Sequence, residues 1–264
     1  MKCVKVDLPR ELKEIELHCF ADWHLGDKNC NVHKIAEQVK MLKEKENAYC
    51  ILNGDLLNNA TKASVSDVYA EQLTPMQQVA EAVNILEPIK DKIIGMTCGN
   101  HELRTYKGDG IDLTGLIARE LRIYDRYSPE GIMIFLRFGA VKYRTEHNDP
   151  QTKRKMCYTI YATHGCGGGR KIGGKTNRLI ELSQIVDADL FYRAHTHAPI
   201  VVKQGFYRAD TSNSKVKFVE QTFINTAAAL DYGGYGQQHE YGVPSQKSPI
   251  AVLNGGKKDI QVIF

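Results

Sequence analysis

Five times along this chain a β-type apolar run stops at aspartate, asparagine or histidine, and this recurrence limits the available folds more than any other feature. IELHCFA (15–21) leads into Asp22, Trp23 and His24, and AYCILN (48–53) into Gly54 and Asp55. IIGMTC (93–98) leads into Gly99, Asn100, His101 and Glu102. MCYTIYAT (156–163) leads into His164 and Gly165, and DLFYRA (189–194) into His195, Thr196 and His197. Polar residues at strand ends collect on one edge of a sheet, which is where open α/β folds build their sites. Such a chain must bring several strand ends together.

Helical patterns alternate with strands in the first half. Residues 32–46 carry one charged face, Thr74 and Pro75 supply an N-cap and a first-turn proline for a helix reaching about Leu86, and 112–121 (DLTGLIAREL) forms a further helix. From 132 the texture becomes mostly β: IMIFLRF, VKYRTE and MCYTIYAT, with the basic stretch 151–155 (QTKRK) as an exposed hairpin tip. A helix from about Asn177 is followed by DLFYRA, PIVVKQG, KVKFVEQTFI, IAVL and DIQVIF. This order predicts an α/β fold, a layered sandwich of two mixed β-sheets flanked by helices. The expected organisation is one domain over 1–264, with the strands of 198–264 completing the second sheet.

Charge and cysteine usage narrow the function classes. A formal net charge of +4 is too small for a dedicated nucleic-acid-coating protein. Seven cysteines without a C-x-x-C, several inside apolar runs such as AYCIL, read as reduced core residues and suggest a reducing compartment. The opening MKCVKVDLPRELKE has no apolar stretch long enough for a signal peptide, and nowhere do eighteen apolar residues run together. The expectation is a cytoplasmic protein with no membrane partner.

Aspartate, asparagine and histidine together suit Mn²⁺, Fe²⁺ or Zn²⁺ better than the all-oxygen cage that Ca²⁺ prefers. Any one block alone could be structural; the ordered set of five is the signal. In this order the blocks D-x-H, G-D, G-N-H-E, H and H-x-H resemble the calcineurin-like metallophosphoesterase superfamily, over residues 22–197. Two departures are visible: Ala194 stands where the family has glycine before its last block, and Trp23 is a bulky filler in the first.

The resemblance implies a calcineurin-like phosphoesterase fold and two divalent ions, with Mn²⁺ first and Fe²⁺ or Zn²⁺ as alternatives. Asp22, His24 and His197 would hold one ion, Asn100, His164 and His195 the other, and Asp55 would bridge them. It further implies a phosphoester hydrolase that uses a metal-bridging hydroxide, with His101 as general acid; the alternative for His101 is a purely loop-orienting role.

The stretch GRKIGGKT (169–176) matches the phosphate loop G-x-x-x-x-G-K-[ST] letter for letter, between a strand-like and a helix-like run. A nucleotide-hydrolysing P-loop also needs a second strand ending in a carboxylate for Mg²⁺, and the next strand here ends in histidines. We therefore read 164–178 as a flexible loop leaving the metal centre, with Arg170, Lys171, Lys175 and Arg178 available to phosphate oxygens. Similar glycine-rich loops in virus-encoded relatives allow a phage origin, and then a host cytoplasm.

Arg104 is a further phosphate candidate, with a surface salt bridge as its alternative. The segment 232–241 (YGGYGQQHEY) could stack a base, close over the site or form an oligomer contact. The leading substrates are phosphodiesters of nucleic acid, including single-stranded DNA, or of nucleotides, helped by the likeness of ADWHLGD (21–27) to the repair-exonuclease branch. A phosphomonoesterase is the alternative, and a P-loop ATPase and a non-catalytic metal-stabilised binding module stay behind it.

Overall fold

The apolar runs form strands because alternate side chains find cover on both faces of two sheets. The computed structural model describes residues 1–62, 64, 66–141 and 154–264. Its first half contains β1 (Lys2–Asp7), β2 (Glu14–Phe20), α1 (Val32–Glu44), β3 (Ala48–Asn53), α2 (Pro75–Leu86), β4 (Ile93–Thr97), α3 (Glu102–Asp109), α4 (Leu113–Glu120) and β5 (Tyr127–Ser128). Its second half contains β6 (Gly131–Val141), β7 (Arg154–Thr163), α5 (Ile172–Ile180), β8 (Leu190–Arg193), β9 (Ile200–Asp210), β10 (Lys215–Asn225), α6 (Gly234–Gln238), β11 (Ile250–Asn254) and β12 (Ile260–Ile263).

Two six-stranded mixed sheets result, one ordered β12-β11-β2-β3-β4-β5 and the other β1-β6-β7-β8-β10-β9. Strands β2, β3, β4 and β5 run parallel, as do β7, β8 and β10. Their C-terminal ends therefore face one edge.

Period-two alternation builds the layers. On β3, Ile51 points inward to meet Ile134, Tyr158, Ile160 and Ile224 of the opposite sheet. Its neighbours Cys50 and Leu52 point outward under Ile35 of α1, Val79 of α2 and Ile117 of α4. The outer face of the second sheet buries Met133, Tyr161, Phe191 and Phe223 beneath Leu179 of α5 and Leu182. Each fully buried side chain of this size contributes roughly 1.5–3 kcal/mol, so the four layers form a stiff frame for the edge. The architecture is the α/β layered sandwich expected from the sequence.

Several local expectations need correction. Helix α5 starts at Ile172, not near Asn177, so the second part of the glycine-rich loop is helical. Leu179, fully buried, anchors that helix on the sheet more strongly than two glycines in its first turn oppose it. The strands beyond 198 divide: β9 and β10 extend the sheet of β6–β8, while β11 pairs with β2 and returns the chain to the first sheet. Strand β1, with its alternating KCVKVD, and helix α3 add elements that the sequence pattern did not single out. The expected strand VKYRTE beyond Val141, and residues 151–153 of the expected hairpin tip, lie outside the described residues.

Candidate metal centre

Each of the five blocks leaves its strand at the shared edge, and alternation sorts its side chains. In the first block Trp23 turns into the core, fully buried, beside Phe20, with its Nε1–H donating to Gln38 on α1. Asp22 and His24 are thereby aimed the other way. The bulky filler is an anchor for its neighbours.

The backbone at this edge takes unusual shapes. Among the described residues nine non-glycine residues have positive φ, and Asp22, His24, Asp55, His195 and His197 are five of them. Left-handed backbone costs an L-residue about 1–2 kcal/mol, and such strain concentrates at functional sites. Glycines permit the closest approach: a Cβ on Gly54 (φ 80°) would lie 2.6 Å from the Gly99 backbone nitrogen. The G-D and G-N-H turns pack backbone to backbone, which brings Asp55 beside Asn100 and His101.

The side chains then converge. His197 Nε2 lies 3.4 Å from Asp22 Oδ1, and His24 Nε2 lies 4.0 Å from the same oxygen. On the other side His164 Nε2 is 3.1 Å from Asp55 Oδ2 and 3.2 Å from Asn100 Oδ1. Among the described residues three overlapping groups could hold a metal ion: Asp22, His24 and His197; His24, Asp55 and His101; and Asp55, His164 and His195. Asp55 belongs to two of them.

Two observations test whether cations fit this donor set. Asp22 Oδ1 is buried with no hydrogen-bond partner, although buried polar atoms are normally satisfied. His24 Nε2 and His197 Nε2 meet at 3.3 Å, and with the proton of each ring on Nδ1 both would offer an Nε2 lone pair to the same cation as Asp22. Both fit divalent ions bound by carboxylate and imidazole.

The electrostatics agree. Burial alone raises the Asp22 and Asp55 carboxyls, but His197 beside Asp22 and His164 and His101 beside Asp55 outweigh it and hold both low. Burial also opposes charge on His164, yet Asp55 and Asp22 push it up to about 10. His195, half-buried, is pushed down to about 4 by loss of solvent and by the neighbouring His164. Two buried carboxylates thus demand positive charge at their centre.

Surrounding groups fix the ring orientations. His164 Nδ1 donates to the Asn53 carbonyl at 2.8 Å, and His101 Nδ1 donates to the Asn58 carbonyl at 2.8 Å. In each ring Nε2 is left facing the site. Glu102 had no role in the sequence reading beyond closing its block. Its carboxylate accepts the backbone N–H groups of Asp55, Leu57 and Gly99 at 3.0–3.1 Å and so ties together the second and third turns.

The substrate candidates fare differently. Arg104 Nη1 donates to the carbonyls of Asn58 and Asn59 and to Ser66 Oγ, which makes it a loop clamp. Lys175, the lysine of the phosphate-loop match, donates to the Thr196 carbonyl at 3.1 Å, between two histidines of the centre. Arg178 Nη1 and the buried Arg193 Nη2 both donate to the Cys166 carbonyl. Arg170 and Lys171 are exposed, and the Arg170 guanidinium stands 5.8 Å from the Tyr241 ring centroid. Segment 232–241 is moored beside the centre, where Ala229 N–H donates to the Asp22 carbonyl and Asp231 N–H to that of Asn29.

No family model and no curated protein matches this sequence. Among solved structures, a conserved uncharacterized protein from Streptococcus pneumoniae TIGR4, described as a predicted phosphoesterase, is 13% identical with a TM-score of 0.38, over 95% of this chain and 88% of that chain. GAP50, described as the anchor in the inner membrane complex of Plasmodium, is 10% identical with a TM-score of 0.39, over 91% of this chain and 81% of that one. At these values neither likeness bears on the chemistry, which rests on the residues. Among the described residues no helix is long and apolar enough to cross a membrane.

Proposed function

We propose that this chain is a metal-dependent phosphoester hydrolase of the calcineurin-like metallophosphoesterase type, acting on phosphodiesters of nucleic acid or nucleotides with Mn²⁺ as its preferred ion. The observation that carries the reading is the position of Asp55, shared between two metal-competent groups of buried and half-buried side chains. Asp22, His24 and His197 would hold one cation, Asn100, His164 and His195 the other, and Asp55 both. Two divalent cations bound there supply Lewis acidity, which polarises water and neutralises charge on phosphoryl oxygens.

The chain's own groups do the rest. His101 keeps its Nδ1 proton on the Asn58 carbonyl and turns Nε2 to the site, 3.8 Å from Asp55 Oδ2. From Nε2 it can hand a proton to the departing ester oxygen. Its backbone N–H donates to Asp55 Oδ1 at 2.9 Å, so the acid and the shared carboxylate keep a fixed spacing.

The meeting of Arg170 with Tyr241 brings a cation and an aromatic ring together on the loop that follows His164. Cation plus ring suits a phosphodiester that carries bases better than a small phosphomonoester. Residues 1–264 act as one domain in this reading, and seven free thiols suit a reducing cytoplasm.

The test is hydrolysis of bis-p-nitrophenyl phosphate, p-nitrophenyl phosphate and single-stranded DNA by metal-stripped protein refilled with Mn²⁺. Mn²⁺ restores cleavage of the diester and the DNA, Asp55→Asn abolishes it, and Lys175→Ala weakens it by loosening the Thr196 turn. If no ester is cleaved, and an ATP turnover appears that Lys175→Ala removes, the reading is wrong.

A further inference from the structure

Strands β9 and β10 form a hairpin that outruns its support. They pair with each other along the whole of β10, whereas β8 pairs with β10 only from Thr222 to Asn225. The remainder stands beyond the sheet as a two-stranded ribbon, an arrangement that is marginal in water by itself. Alternation puts Tyr207, Ala209, Val216 and Phe218 on one face. Tyr207 is 75% exposed, and Val216 and Phe218 are each 63% exposed.

This apolar face is held in place. The Phe218 ring lies over Gly205, where any Cβ would collide with it, and meets Tyr207 edge-on at 5.8 Å between centroids. The ribbon's charges are already matched, Lys203 with Glu220 at 2.8 Å on this face, and Arg208 with Asp187 and Lys217 with Asp210 on the other. A polyanion needs cations free to replace its counterions, and these pairings commit most of the ribbon's cations. The exposed aromatic and aliphatic patch is what the ribbon has to offer a partner.

We propose that this patch is a homodimer surface, with two copies packing their apolar ribbon faces about a two-fold axis and the hairpins antiparallel. In that arrangement the uncharged tip, 211–214, of each copy covers the neutralised Lys203–Glu220 pair of the other. No unmatched charge is buried. The four side chains offer on the order of 400 Å² per copy, about half of what a standard interface buries on each side. The dimer is therefore weak and concentration-dependent, with a dissociation constant of about tens of micromolar.

Sedimentation of the full chain from about 1 to about 300 µM decides the matter. The mean mass climbs from 29.7 kDa towards twice that value, and Phe218→Glu and Val216→Glu each raise the dissociation constant at least about ten-fold, with unchanged circular dichroism. A wild-type chain that stays monomeric throughout overturns the proposal. So does a dimer that both variants leave intact. An oligonucleotide arm completes the test: if Phe218→Glu loses oligonucleotide binding while the wild-type mass does not vary with concentration, the ribbon is a nucleic-acid contact and the dimer is refuted.

Discussion

At its C-terminal end β10 passes through Gln221, Thr222 and Asn225, all buried, while at its N-terminal end Val216 and Phe218 stand in solvent. One strand thus carries polar groups where apolar ones are normal and apolar groups where polar ones are normal. Folding alone favours neither arrangement, since buried polar atoms need partners and exposed rings forgo their transfer energy. The buried end lies beside strand β8, whose Arg193 precedes the His195–His197 turn. The exposed end has nothing over it among the described residues. The difference teaches that a departure from the usual partition is answered within the fold when polar, here by the Ala188 and Ala198 carbonyls that accept from Gln221 and Asn225, and points outward when apolar, to another surface.

The largest effect that could break this contrast is at the centre. Asp55→Asn lowers Mn²⁺-dependent turnover by at least about a thousand-fold, measured with the diester substrate, and leaves the self-association constant unchanged. Equal damage to both properties would mean that the two ends are not separate.

Glu102→Ala comes next, at about 3–5 kcal/mol of stability in urea unfolding, because three backbone N–H groups lose their buried acceptor. A loss under about 1 kcal/mol would show that water serves those donors equally well.

A buried polar group away from the centre sharpens the contrast by titration. Burial pushes His18 down to about 4, against the attraction of Glu16. The unfolded imidazole binds its proton near pH 6.5, so falling pH favours unfolding from there until about pH 4, where the loss is complete. Wild type should lose on the order of 2–3 kcal/mol more than His18→Gln across that window. Identical pH slopes for the two proteins would remove His18 from the account.

The smallest effect belongs to the ribbon: Phe218→Ser changes the monomer's stability by less than about 1 kcal/mol, the worth of one aromatic pair. A much larger loss would make the ring a folding element, not a contact surface.

The strands that carry ligands were legible because each is an apolar run that ends abruptly at aspartate, asparagine or histidine, a purely local signal. The groups that position those ligands were not. Glu102 meets the Asp55 N–H 47 positions away in the chain, and Arg104 reaches carbonyls at Asn58 and Asn59, contacts that leave no spacing to read. Their residue types suggested an acid closing a motif, and a cation for phosphate or a surface salt bridge. The early start of α5 was hidden because glycine argues locally for a loop, whereas burial of Leu179 and the Lys175–Thr196 contact decide in favour of helix. The return of β11 to the first sheet rests on pairing with β2 across most of the chain, and no local pattern announces it.

The five left-handed residues at the centre have a consequence for how this chain ages under mutation. Glycine would occupy those backbone shapes at lower cost, so at Asp22, His24, Asp55, His195 and His197 the backbone alone favours glycine, against the N–H groups of His195 and His101 that Asp22 and Asp55 accept. At about 1 kcal/mol apiece, the five together rival the lower end of a domain's whole stability margin. The edge that gathers these side chains is thus built at the expense of backbone comfort.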